Sequence, residues 1–207
     1  MLTSIELCAG AGGQALGLEQ AGFGHDALVE IDRHCCQTLR HNRPAWNVIE
    51  DDVRRFKERA GDFAGVDLVA GGLPCPPFSV AGKQLGEQDE RNLFNDAIDI
   101  IDSVRPKAVM IENVRGFLDA VFHDYREKLK RQLRALGYET DWRLLNASDY
   151  GVPQLRPRVG NPDEVRSNKL DATLDLLKFL GRRIEYTRAA LVISFRDDEV
   201  PASHPLR

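Results

Sequence analysis

The sequence has no long hydrophobic run: nothing in its 207 residues approaches the ~20 continuous apolar positions that a membrane-spanning helix needs. Its start, Met1-Leu2-Thr3-Ser4-Ile5-Glu6, has neither the charged head nor the apolar stretch of a secretory signal. The reading therefore places the protein in the cytoplasm. Cysteine is scarce. Cys8, Cys35, Cys36 and Cys75 show no paired two-residue spacing and no set of neighbouring histidines, which argues against a metal site and for reduced thiols. A surplus of positive charge is also missing. Against 28 Lys and Arg stand 32 Asp and Glu, a net charge of −4, which argues against coating nucleic acid by bulk electrostatics and leaves room only for a local basic cleft. Internal repeats and low-complexity tracts are absent too.

What is present is an ordinary globular composition, 43% hydrophobic and 29% charged, in a length that suits one main domain plus an appendage. Short apolar runs alternate with longer amphipathic stretches, the pattern of a parallel sheet with crossover helices. Strands are expected near Ser4 to Leu7, Asp26 to Ile31, Asn47 to Glu50, Val66 to Ala70, Lys107 to Ile111 and Thr140 to Leu145. Helices are expected from Gln14 to Ala21 with Gly22 as a stop, and from an Asp32 N-cap to Asn42 with Pro44 beyond. A longer one is expected around Phe117 to Leu136, ending at Gly137 and placing Leu118, Val121, Phe122, Tyr125, Leu129 and Leu133 on one core-facing stripe. Its basic residues near Arg126 to Arg134 read as a solvated face. The fold class is α/β, a doubly wound, mostly parallel Rossmann-like sheet.

Two groups of residues carry chemistry. After the first strand, Cys8-Ala9-Gly10-Ala11-Gly12-Gly13 lets the backbone turn tightly and approach a ligand before a helix begins. Seventeen residues after Gly13, Glu30 ends the second strand, where a carboxylate can accept from both hydroxyls of a ribose. Asp52 follows the third strand and could hold an adenine amino group. On these residues alone, a specific nucleotide-cofactor site and a generic nucleotide fold with glycines kept for turn geometry fit equally well.

The second group is reactive. Leu73-Pro74-Cys75-Pro76-Pro77-Phe78-Ser79 follows Gly71-Gly72 in a long irregular loop reaching Asn92, and the prolines fix the backbone around one thiol. A lone cysteine is usually a small core residue, which suits Cys35 and Cys36 on their helix; Cys75 in its rigid loop suits a nucleophile. The polar stretch of Gly82, Lys83 and Gln84, with Asp89 to Asn92 beyond, could close over a substrate. Glu112, in Glu112-Asn113-Val114, ends the fifth strand, although an isolated strand-end glutamate is more often solvated than catalytic. Gln154, Arg156 and Arg158 alternate after Tyr150-Gly151-Val152-Pro153, so both guanidiniums lie on one side of an extended segment, where they suit a phosphate or a pyrimidine carbonyl.

In order and spacing these blocks resemble the DNA (cytosine-5) methyltransferase family from about Thr3 to Val159. The resemblance implies an S-adenosylmethionine-dependent methyltransferase fold, with a catalytic domain at residues 1–159, acting on double-stranded DNA. It implies that Cys75 attacks carbon 6 of a flipped cytosine, with Glu112, Arg156 and Arg158 around the ring. It places S-adenosylmethionine against Cys8, Gly10, Ala11, Gly12, Gly13, Glu30, Ile31, Asp52, Val53, Pro74 and Leu93. Cys8 departs from the family, which commonly has phenylalanine beside the adenine ring there. Residues 160–207 depart further. A helix is read from Gly160-Asn161-Pro162-Asp163 to Leu180, closed by Gly181, where the family has a target-recognition region. Thr187-Arg188-Ala189-Ala190, Ser194-Phe195 and Asp197-Asp198 faintly resemble an eroded form of the family's penultimate motif. An internal deletion removed the recognition region, or the tail is new sequence, or the missing half belongs to a second polypeptide; this chain alone is expected to have little turnover. Two other functions stay open: a transfer-RNA cytosine methyltransferase, and an inactive remnant that binds cofactor or a partner.

Overall fold

The strand β1 (Leu2–Leu7) shows why the chain layers as it does, because its odd and even residues face opposite sides and both sides are covered. Ile5 and Leu7 point into one core, Ser4 and Glu6 toward the other side, and all four are buried. The computed structural model describes residues 1–74, 92–143, 145 and 189–193. Within them the order is β1, α1 (Gly13–Gln20), β2 (Phe23–Glu30), α2 (Arg33–Asn42), β3 (Val48–Glu50), α3 (Val53–Phe56), a 3₁₀ helix at Lys57–Phe63, β4 (Leu68–Gly72), α4 (Phe94–Val104) and β5 (Ala108–Glu112). Two 3₁₀ turns, Arg115–Leu118 and Ala120–Phe122, then lead to α5 (His123–Ala135), β6 (Glu139–Arg143) and β7 (Ala189–Ile193).

The seven strands form one sheet in the order β3-β2-β1-β4-β5-β7-β6, and every pairing is parallel. It is the doubly wound α/β sheet expected. Residues of α3, α4 and α5 join Ile5, Leu7, Val29, Val69, Val109 and Ile111 in the larger core, while α1 and α2 cover Leu28, Leu68, Ala70 and Met110 on the other face. Chain order reverses beside β1, and that is where a crevice opens at the carboxyl ends of the strands. At the opposite rim the strand ends are tied to one another. There Asp67 accepts from the Thr3 amide at 2.8 Å and pairs with Lys107 at 2.7 Å.

The expected strands and first two helices lie close to their anticipated places, with ends displaced by a few residues. Asp32 caps α2 by accepting from the His34 and Cys35 amides. Three differences are larger. The helix expected over Phe117 to Leu136 begins only at His123, because Asp119 takes an extended ψ of 148° that no α-helix tolerates. Arg126 holds that break by donating to the Phe117 and Asp119 carbonyls, and Val121, expected on the core stripe, is 68% exposed. Second, α4 was not anticipated, although Phe94, Ala97, Ile98, Ile101 and Val104 repeat with helical spacing and are all buried. Phe94 stacks on Phe117 at 5.3 Å, and Tyr125 meets both edge-on, so α4 is clamped to the turn after β5. Third, β7 forms over Ala189–Ile193, where the sequence suggests only a motif. The middle of the Leu73 to Asn92 loop and the helix read from Gly160 to Leu180 lie outside the described residues. Among the described residues no helix is long and apolar enough to cross a membrane.

Candidate active site

The glycine turn after β1 owes its shape to left-handed backbone. Cys8 (φ 56°), Gly10 (φ 55°) and Gly12 (φ 91°) all lie in the region that favours glycine. At Cys8, a side chain is carried there at a cost in strain, as is common where backbone serves a ligand. Gly12 could not be larger without disturbance, since an added Cβ would meet Leu39 Cδ2 at 2.6 Å.

Glu30 grips this turn. Its Oε2 accepts from the Gly10 amide at 2.7 Å and its Oε1 from the Asp32 amide at 2.8 Å, so one buried carboxylate at the end of β2 ties the β1 turn to the β2 turn. Each oxygen keeps a further acceptor position for a ligand hydroxyl. The next strand end is arranged similarly. Asp52 accepts from the Arg54 amide at 2.8 Å and caps α3, while Asp51 receives the Asp52 amide and pairs with Arg55 and Arg59.

These strand ends surround a cavity of about 800 Å³ lined by Cys8, Val29, Glu30, Ile31, Asp51, Asp52, Val53, Arg54, Gly72, Pro74 and Leu93. That volume falls in the range of small-molecule sites. Seven of the residues that the resemblance assigned to a cofactor share its wall: Cys8, Glu30, Ile31, Asp52, Val53, Pro74 and Leu93. Gly10, Ala11, Gly12 and Gly13 form the turn beside it rather than its lining. Val29, Asp51, Arg54 and Gly72 also line it, beyond the positions that the resemblance implies. The one readable signal for them was adjacency to Glu30, Asp52 and Pro74 in the chain.

Glu112 ends β5 in register with Gly72 of β4, and its Oε2 would lie 3.3 Å from a Cβ placed on Gly72. The missing side chain at Gly72 thus makes room for a half-buried carboxyl that leans over the cavity's own wall. Next to it Asn113 is fully buried and its Oδ1 accepts from the Val114 amide at 2.9 Å, which fixes the backbone beyond Glu112. Cys75 directly follows the cavity residue Pro74 in the chain, but Cys75, Arg156 and Arg158 lie outside the described residues. Cys35 and Cys36 sit on α2, and burial pushes both thiols up, away from the reactive thiolate form. Among the described residues no group of His, Cys, Asp and Glu could hold a metal ion.

A glycine turn, a gripping glutamate and an aspartate at successive strand ends, with a further glutamate across Gly72, coincide with a family match over residues 2–160 to the C-5 cytosine-specific DNA methylase model. The chain belongs to that family. It is 62% identical over 157 residues to the type II methyltransferase M.NgoMIV of Neisseria gonorrhoeae, covering 76% of this chain and 50% of that protein. With M.NaeI of Lentzea aerocolonigenes the identity is 52% over 158 residues, covering 76% of this chain and 38% of the relative. The chain therefore spans half or less of the length of these curated relatives. Among solved structures, it resembles a prophage-encoded E. coli protein described as a DNA modification methyltransferase, with a TM-score of 0.63 and 28% identity over 77% of this chain and 45% of the other. Its fold is also that of S. pombe Dnmt2 methyltransferase, at a TM-score of 0.62 and 21% identity, covering 86% of this chain and 55% of that one.

Proposed function

We propose that this chain carries the catalytic half of an enzyme that transfers a methyl group from S-adenosylmethionine to carbon 5 of cytosine in double-stranded DNA, with residues 1–159 as its catalytic domain. The observation that carries the reading is the placement of Glu112 beside Gly72, which lines the same cavity as Cys8 and Glu30. The donor set fits the cofactor. Glu30 presents carboxylate oxygens to a ribose, Asp52 a carboxylate to an adenine amino group, and Ile31, Val53, Pro74 and Leu93 supply apolar walls for a ring. S-adenosylmethionine held there would supply an electrophilic methyl group.

The remaining chemistry falls to the chain's own residues. The Cys75 thiolate adds to carbon 6 of a cytosine turned out of the duplex, and the C5–C6 π electrons move into the ring. Glu112 donates to ring nitrogen 3 as charge gathers there, while Arg158, supported by Arg156, holds the carbonyl oxygen. Carbon 5, now nucleophilic, takes the methyl group; loss of its proton to a base then expels the Cys75 thiolate and restores the ring. Relatives named as type II methyltransferases support a role in restriction and modification. Target recognition is expected from sequence beyond the matched region, in the same or a second polypeptide. Trapping tests the reading: DNA carrying 5-fluorocytosine, which cannot lose a proton from carbon 5, should accumulate a covalent adduct with the complete enzyme and none with Cys75→Ala. An adduct that survives Cys75→Ala and vanishes on changing Cys35 or Cys36 would reassign the nucleophile, and competition by transfer RNA but not duplex DNA would change the substrate class.

A further inference from the structure

Helix α1, which springs from the glycine turn, begins without a cap of its own: its N-cap is Gly12, and no acidic residue sits in its first turn. Two side chains from elsewhere hold it instead. His25 of β2 donates from Nε2 to the Ala15 carbonyl of α1 at 3.0 Å, and since a carbonyl only accepts, the imidazole proton is on Nε2. In the neutral ring Nδ1 is then an acceptor, 2.9 Å from the Ser4 hydroxyl of β1. Arg43, at the end of α2, makes the second tie by donating from Nε to both carboxylate oxygens of Glu19 on α1, at 3.2 and 3.1 Å. Trp46 stands between the two. The His25 ring lies edge-on to it at 4.9 Å, and the Arg43 guanidinium lies over it at 5.6 Å. Trp46 in turn backs the glycine turn: it packs with Ala9, Ala15 and Leu39, and its Cζ3 is 3.4 Å from where a Cβ on Gly12 would stand.

We propose that His25 is a positioning residue of the cofactor site: its neutral imidazole ties α1 to β1 and β2 and braces Trp46 against Gly12, holding the turn whose Gly10 amide Glu30 grips. His25 is half-buried and absent from the cavity lining, so it acts through the turn rather than on a ligand. The surroundings favour the neutral ring. Burial holds His25 below its ordinary value of 6.5, against the opposing pull of the Ala15 carbonyl, of Glu19 on α1 and of the adjoining Asp26. A protonated ring would have to donate from Nδ1 to Ser4, turning the Ser4 hydroxyl to the Gly24 carbonyl at 3.2 Å. It would also set a second cation beside Trp46, whose face Arg43 already covers.

The role rests on the cofactor reading above, and its test separates the two. In the 207-residue chain, wild type, His25→Gln and His25→Leu are compared at mildly alkaline pH by calorimetric titration with S-adenosylmethionine. Exchange is followed at the Gly12 and Leu16 amides, which donate to the Ala9 and Gly12 carbonyls of the turn. His25→Gln, whose side-chain amide donates from the place of Nε2, should keep wild-type exchange and affinity. His25→Leu, with no donor, should raise exchange at both amides and weaken binding about 3- to 10-fold, the loss of one hydrogen bond. The pH profile is a further readout. Because the unfolded chain takes up a proton at 6.5 that the folded chain refuses, wild-type stability should lose a share as pH drops below 6.5, and His25→Gln should lack that share. Wild-type affinity in a folded His25→Leu overturns the proposal whatever the variant's stability, as does unchanged exchange at the turn or a His25→Gln as impaired as His25→Leu. Should His25→Leu not fold, nitrogen NMR of the wild type decides: the ring proton should be on Nε2 and the ring signals should shift when S-adenosylmethionine binds, and a proton on Nδ1 or signals unmoved by the ligand overturns it. A wild type that binds no S-adenosylmethionine defeats the cofactor reading instead, while exchange in His25→Leu still decides whether His25 holds the turn.

Discussion

At the end of β2 the chain enters α2 through Asp32, whose carboxylate accepts from the His34 and Cys35 amides, the helix supplying its own cap. At the end of β1 it enters α1 through Gly12, with a left-handed backbone and no capping side chain. The first junction is closed by local sequence. The second is held by Glu30, which reaches it from β2. A side chain at the Gly12 N-cap would run into Leu39, so this turn cannot carry its own cap and takes its support from the neighbouring strand instead.

Substitutions can break that contrast, and the largest effect is expected at the residue shared by both junctions. Glu30→Ala removes the acceptor for both the Gly10 and Asp32 amides. Each hydrogen bond to a charged group is worth ~1.5–3 kcal/mol, so stability should fall by about 3 kcal/mol or more in chemical denaturation, and the ligand-facing share of the carboxylate should weaken S-adenosylmethionine binding by about 10- to 150-fold in calorimetry. Unchanged affinity in the folded variant would refute the ribose role. Gly12→Ala comes next. A left-handed alanine costs ~1–2 kcal/mol, and Leu39 must move from its packed site, so a loss of about 2–3 kcal/mol is expected in melting experiments, together with weaker cofactor binding. The smallest effect, and the sharpest control, is Asp32→Ala. It should cost ~1 kcal/mol as an ordinary lost cap while leaving affinity for S-adenosylmethionine near wild type, because the closed junction serves α2 alone. Equal losses of affinity in Asp32→Ala and Glu30→Ala would erase the distinction between the two turns.

How much of this was legible differs between the same two places. The Asp32 cap was readable because a cap is local: an acceptor residue stands directly before the amides it serves. The alternating apolar runs likewise announced β1 to β6 and the α/β class. Helix α4 is also legible from its spacing, since Phe94, Ala97, Ile98, Ile101 and Val104 recur at helical intervals, but its N-cap, Leu93, brings no capping side chain to mark its start. The break at Asp119 was not readable, since the apolar positions on either side of it continue the helical rhythm, and only the Arg126 contacts to the Phe117 and Asp119 carbonyls show that the chain turns there instead.

By itself, then, the sequence determined the strands and their two-sided burial, the glycines that permit a left-handed turn, and the order of the blocks that mark the family, all of which depend on residues within a few positions of one another. The tertiary structure alone decided that Glu30 spends both oxygens on the backbone of two turns, that Glu112 leans over Gly72, and that Glu6 is buried between Leu28 and Ala70. The physical reason is that these properties arise from parallel pairing in register and from which face of β1 a helix covers. Distance along the chain carries no record of either.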